Sequence, residues 1–253
     1  MKKNNVNELL VAHRGFSTQY PENTMAAING AINANAKYIE IDIQLTKDKQ
    51  AVLFHDRDLE RLCEKPKSIH DYTLDQLNAF SSFSPDRFKS KFKGERIPSL
   101  IEVVEILKKH PSIILFVELK RISIDVFSMD DILNEVIPLI TPIKNQCVFI
   151  SFSLDIIERI RQQTNIPVGA VIDDWNEAVT NEYDKLKKIN PEYFFCDITL
   201  LPKDEKLKLL NSKIVVYECT DYLQAMAVLK QGVDMVETFD IKSMSIALRE
   251  HMK

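Results

Sequence analysis

The chain has 253 residues, enough for one large domain or two small ones, and its 45% hydrophobic and 28% charged content lies far from disordered or fibrous compositions. Lys plus Arg number 33 against 37 Asp plus Glu, a formal net charge of −4 that disfavours a dedicated nucleic-acid binder with its basic face. Glycine is sparse, with 5 residues, and neither G-x-G-x-x-G nor G-x-x-x-x-G-K occurs, so a glycine-rich nucleotide cradle has little to be built from.

Four cysteines, Cys63, Cys147, Cys196 and Cys219, form no C-x-x-C pair and read as reduced thiols rather than a zinc site or a disulfide framework. The N-terminal MKKNNVNELL lacks the apolar run of a secretory signal, and no stretch reaches the roughly 18 apolar residues of a membrane helix. A soluble, cytoplasmic protein is expected, with no nucleic-acid partner and no stable membrane insertion; its oligomeric state is left open.

In chain order, strand-like runs rich in β-branched and aromatic residues fall at 9–15, 38–45, 51–56, 113–120, 147–152, 167–173, 193–198, 213–219 and 235–238. Helical patterns lie between most of them, at 23–35, 99–110, 131–140, 153–163, 176–189 and 221–232, several opened by a Ser, Asp or Asn cap. With YIEIDIQL and AVLFHD taken as one bent strand and its hairpin partner, the order amounts to eight βα units in one domain, the count of a closed (β/α)8 TIM barrel; an open doubly wound sheet shares the alternation. The polar stretch 57–98, with only TLDQLNAF helix-like, reads as a small insertion after the second strand.

In such a barrel, reactive groups sit where strands end and loops open onto one face. His13-Arg14-Gly15, Glu40 with Asp42, His55-Asp56 and Glu118 with Lys120 fill those slots, and strand alternation points Glu40 and Asp42 to one face, as it does Glu118 and Lys120. Buried unpaired carboxylates are costly, so Glu40, Asp42 and Glu118 at the mouth ask for a counter-charge, most simply a hard divalent cation. Three carboxylates without a Cys or His cluster suit Mg²⁺ or Ca²⁺ better than zinc. A structural or surface place is the alternative for each of these residues, and it is the expectation for His70, His110 and His251.

HRGFSTQYPENTMAAINGAINANAKYIEIDIQLTKDKQAVLFHDRDLERL is similar, in order and spacing, to the H-R-G, P-E-N-T, E-x-D and H-D blocks of the glycerophosphodiester phosphodiesterase family. RIPSLIEVVEIL, VELK, ISFS and GVDMVET resemble later segments, so the likeness runs from Leu10 to about Thr238. It implies a (β/α)8 barrel that hydrolyses glycerophosphodiesters to sn-glycerol 3-phosphate and an alcohol. His13 and His55 match its catalytic histidines, Glu40, Asp42 and Glu118 its metal ligands, and Arg14 and Lys120 its phosphate-contacting cations. Glu22, in PENT, matches an acidic residue that supports the metal site.

Three departures stand out. The Asp-Gly turn after the second strand is Asp48-Lys49, the Trp-Thr pair of the seventh barrel strand is Tyr217-Glu218, and the Thr-Asp near the eighth is Thr238-Phe239. The last two alter the pocket wall. Glu218 and Glu237 face either solvent and helices or the mouth; if inward, they favour a cationic head group on the substrate, with Tyr217 and Glu218 as its contacts. Two competing readings remain at this stage, a lysophospholipid or sphingomyelin phosphodiesterase on the same barrel and a non-catalytic phosphodiester-binding module.

Overall fold

The computed structural model describes residues 5–202 and 207–252. Its strands are β1 (Leu10–Ala12), β2 (Tyr38–Leu45), β3 (Ala51–Leu53), β4 (Ile114–Leu119), β5 (Cys147–Ser151), β6 (Val168–Ile172), β7 (Tyr193–Asp197), β8 (Lys213–Tyr217) and β9 (Met235–Thr238). Eight of them run parallel in the order β1-β9-β8-β7-β6-β5-β4-β2, and β1 also pairs with β2, so the sheet closes on itself. The ninth, β3, is the antiparallel hairpin partner of β2. The hairpin turns at Lys49, which holds φ +59° where a glycine would be unstrained.

Alternation sorts every strand into two faces. On β2, Ile39, Ile41 and Ile43 pack outward into the large apolar layer beneath the helices, while Tyr38 joins the barrel interior. Leu115, Val117 and Leu119 of β4 do the same as Phe116 turns inward. The interior is filled by Phe116, whose ring meets Tyr193 and Phe195 edge-on, each at 5.0 Å between centroids, above Val11, Val215 and Met235. This aromatic plug is the floor on which the mouth residues stand.

The expected helix 176–189 is two helices, Trp175–Val179 and Tyr183–Ile189. Thr180 leaves helical geometry at φ −120°, ψ −84°, and its hydroxyl donates to the Asn176 carbonyl at 2.6 Å, the local side-chain competition that makes threonine a poor interior helix residue. Residues 57–98 form short helices at Glu60–Cys63, Leu74–Leu77 and Pro85–Phe88 over their own apolar cluster of Leu59, Leu62, Ile69, Leu77 and Ile97 with Val52 and Phe54. That cluster anchors the insertion to the β2–β3 hairpin, beside the barrel mouth.

Candidate active site

The turn after β1 is built by its backbone. Arg14 lies at φ +55° and Gly15 at +79°, and a Cβ on Gly15 would come within 2.7 Å of the Ala27 carbonyl carbon, so only glycine lets this loop close against the helix Met25–Asn33. The turn aims the Arg14 main-chain N–H at Glu40 Oε2, 3.0 Å away. It also puts His13 over the end of the barrel.

Glu40, Asp42 and Glu118 each present a carboxylate oxygen, all within 4.8 Å of one another, and all three are buried. Asp42 is the best neutralised of them. Lys120 Nζ lies 3.2 Å from its Oδ1, Arg14 Nε lies 3.2 Å from its Oδ2, and Asn23 Nδ2 donates to Oδ2 at 2.7 Å. Burial opposes its ionisation, yet Lys120 and Arg14 outweigh that and hold its carboxyl well below the usual carboxylate range. Lys120 also reaches Glu118 Oε1 at 2.8 Å. Glu40 has less help: burial and then Asp42, Glu237 and Glu118 push its pKa well up, and its Oε1 has no hydrogen-bond partner. An acceptor-only cluster with an orphaned buried oxygen is a donor set that fits a hard divalent cation.

The two histidines flank a cavity of about 290 Å³ lined by His13, Arg14, Glu40, His55, Glu118, Lys120, Tyr217, Glu218 and Glu237 above Ile150, Val171 and Phe195. Every predicted site residue but two lines this space. Asp42 and Glu22 stand behind it, Asp42 through Arg14 and Lys120, and Glu22 through Arg14, whose Nη1 donates to Glu22 Oε1 at 2.8 Å. His13 is buried, stacked on Phe239 at 5.1 Å, with Nδ1 3.4 Å from Glu218 Oε1 and Nε2 3.7 Å from Glu40 Oε2 and 3.8 Å from Glu237 Oε2. Glu237 faces inward by β9 alternation and is buried, while Glu218, just past the end of β8, is half-exposed at the rim. Phe239 thus replaces a polar group with a ring that holds the histidine plane.

Sequence reasoning missed Arg61 and the Asn23 amide that donates to Asp42. His55 Nδ1 lies 2.8 Å from Asp56 Oδ1, and Arg61 grips Asp56 through Nε at 2.6 Å and Nη2 at 2.9 Å. The same guanidinium donates to both oxygens of Glu22, at 2.9 and 2.8 Å, so one cation from the insertion joins the support of His55 to the support of Arg14. Burial resists ionisation of Glu22 and Asp56, but hydrogen bonds from Arg61, and from His55 to Asp56, bring both pKa values down. Carboxyls with depressed folded values add stability that is fully present above their ordinary values near 4 and is lost as pH falls through the depressed ones. Arg61→Met is therefore expected to melt below the parent at neutral pH, with the gap narrowing as pH falls below the ordinary carboxylate values of about 4; a constant gap across that range would show that the brace is not electrostatic.

A closed barrel with an acidic mouth bearing two histidines and two basic residues defines the class of fold and site. The sequence profile of the glycerophosphoryl diester phosphodiesterase family matches residues 13–243, and the chain belongs to that family. A glycerophosphodiester phosphodiesterase of Caldanaerobacter subterraneus subsp. tengcongensis is 41% identical over 99 residues, 39% of this chain and 40% of that one. Glycerophosphodiester phosphodiesterase 1 of Bos taurus is 30% identical over 162 residues, 64% of this chain and 48% of that one. The chain thus spans less than half the length of these curated relatives. A phosphodiesterase of Oleispira antarctica, solved in complex with the product sn-glycerol-3-phosphate, shares the fold at a TM-score of 0.83 and 21% identity, covering 95% of this chain and 96% of that one.

Proposed function

We propose that this protein hydrolyses glycerophosphodiesters to sn-glycerol 3-phosphate and an alcohol with the help of a divalent cation, Mg²⁺ or Ca²⁺. The observation that carries this reading is the convergence of Glu40, Asp42 and Glu118 within 4.8 Å beside a cavity that both His13 and His55 line. Glu40, Asp42 and Glu118 would hold the cation, which when bound supplies Lewis-acid neutralisation of a phosphoryl oxygen. Arg14 and Lys120 place two fixed positive charges on the same wall and hold the remaining phosphoryl oxygens by charge-assisted bonds. His13 and His55 serve as one proton acceptor from the attacking oxygen and one donor to the leaving alcohol. Asp56 fixes the His55 ring through Nδ1, leaving Nε2 as its proton-transfer atom.

Chain 1–253 acts as a single barrel domain, with the insertion contributing Arg61 to the site. Four buried, unpaired cysteines, with Cys147 pushed up to about 12 by burial, favour a reducing cytoplasm. No helix among the described residues is long and apolar enough to cross a membrane.

Exhaustive EDTA treatment is expected to abolish release of sn-glycerol 3-phosphate from glycerophosphocholine, and added Mg²⁺ or Ca²⁺ to restore it. Unchanged turnover after chelation, in protein free of metal by elemental analysis, would overturn the reading. Selectivity should follow the rim. Glu218 adds negative charge beside Tyr217, whose ring face can hold a quaternary ammonium for about 0.5–2 kcal/mol, so glycerophosphocholine and glycerophosphoethanolamine are expected to exceed glycerophosphoglycerol and glycerophosphoinositol in kcat/KM. Glu218→Gln should narrow that preference; equal values for all four diesters in both proteins would dispose of it.

A further inference from the structure

Residues 84–94, SPDRFKSKFKG, carry Arg87, Lys89, Lys91 and Lys93 against the single carboxylate of Asp86, in a chain whose net charge is −4. All four basic side chains are exposed, and none is ion-paired among the described residues. Exposed Lys49, Lys108 and Lys188, by contrast, each sit on a carboxylate, at 2.8, 2.5 and 2.6 Å. Four cations against one carboxylate leave this segment net positive, a potential that an outside anion would neutralise.

The segment stands on the rim of the mouth. Arg87 Nη2 donates to the Ser17 carbonyl at 2.8 Å, and Ser17 Oγ in turn donates to the His13 carbonyl at 3.0 Å. Phe92 packs on Tyr20 at 5.8 Å, and Glu95 accepts from the Ala26 N–H at 3.1 Å, tying the segment to the loop and helix that follow β1. Its rings are half-buried and already covered: Arg87 lies 5.0 Å from the Phe88 centroid, Lys91 lies 4.9 Å from that of Phe92, and the two rings meet edge-on at 5.0 Å. Capped rings are poor platforms for stacking bases, which single-stranded nucleic acid requires. The Lys93 ammonium lies 5.8 Å from the Phe83 centroid, and Lys89 Nζ lies 3.4 Å from the Asp86 carbonyl, so each exposed cation has a local perch.

We propose that the Arg87–Lys93 cluster is a peripheral docking surface for an anionic phospholipid bilayer, which it meets with the barrel mouth alongside. A basic residue near such a surface strengthens binding roughly fivefold, with the attraction confined to about a Debye length. No chain segment enters the hydrocarbon; the contact is reversible and electrostatic.

The test is co-sedimentation with vesicles of phosphatidylcholine alone and of phosphatidylcholine mixed with phosphatidylglycerol, at low and at high salt. The parent is expected to bind only the mixed vesicles and to be released by salt. A variant combining Lys89→Glu, Lys91→Glu and Lys93→Glu should bind them about 100-fold more weakly or worse, with an unchanged far-UV circular dichroism spectrum and unchanged turnover of soluble glycerophosphocholine. No binding of the parent to mixed vesicles at low salt, equal binding by parent and triple variant, or tighter binding to duplex DNA or RNA than to mixed vesicles would each overturn the proposal. Vesicle binding is read without turnover, so its failure is distinct from a failure of hydrolysis.

Discussion

Replacing His13 or His55 by alanine is expected to lower kcat on glycerophosphocholine by roughly 10²- to 10⁴-fold, the usual worth of a positioned proton-transfer group. The two variants should differ in another respect. His13 is buried against Phe239 and surrounded by Glu40, Glu218 and Glu237, so its removal opens a hole in a packed, acidic wall. His55 is about one-third exposed, and its loss removes a ring that Asp56 had oriented. His55→Ala should therefore lower the melting temperature only through the lost bond to Asp56, and by less than His13→Ala, which lowers it by a few degrees. If the two histidines act on opposite sides of one displacement, as proposed, the double variant should be scarcely slower than the worse single one. Near-normal turnover in either single variant would remove that histidine from the mechanism.

Much of this site is legible because strand periodicity is rigid. Once 38–45 is a strand, Glu40 and Asp42 must share a face, and their register against Phe116 and Glu118 of β4 follows from the parallel pairing. His13 and His55 are legible for a related reason, since each ends a strand-like run. Arg61 was not, because its partners Glu22 and Asp56 lie 39 and 5 residues away and meet it only after the insertion has folded back over the mouth. No local period links them. Glu237 could be placed on a strand but not on a face until the β1–β9 register was fixed, as one residue of slip would have sent it into the helices. The break at Thr180 was also hidden, since Asn176 through Ile189 keeps a helical apolar pattern that the threonine hydroxyl interrupts locally.

Asp42→Asn and Glu40→Gln should abolish turnover alike but move stability in opposite directions. Both carboxylates are buried, and both belong to the cluster proposed to hold the cation, so either change removes the charge of a proposed ligand oxygen. Their surroundings differ in sign. Asp42 is the shared counter-ion of Lys120 and Arg14, and neutralising it strands two buried cations, a loss of about 3–5 kcal/mol for breaking a buried pair. At about 2–4 °C per kcal/mol for a chain of this size, the metal-free melting point should fall by roughly 10 °C. Glu40 instead faces Asp42, Glu237 and Glu118, and its raised pKa means that ionising it works against the fold as pH climbs above the ordinary glutamate value. A glutamine there keeps the shape and the acceptor for the Arg14 N–H while removing one repelling charge, so the metal-free variant should melt at or above the parent at pH 8. Added cation reverses the ranking: at 100-fold over its dissociation constant it stabilises the parent by about 2.7 kcal/mol and Glu40→Gln far less. Scanning calorimetry of the three proteins with EDTA and with Mg²⁺ or Ca²⁺ reads all of this at once. Equal destabilisation of the two variants in EDTA would show that the crowding around Glu40 is already relieved without a cation.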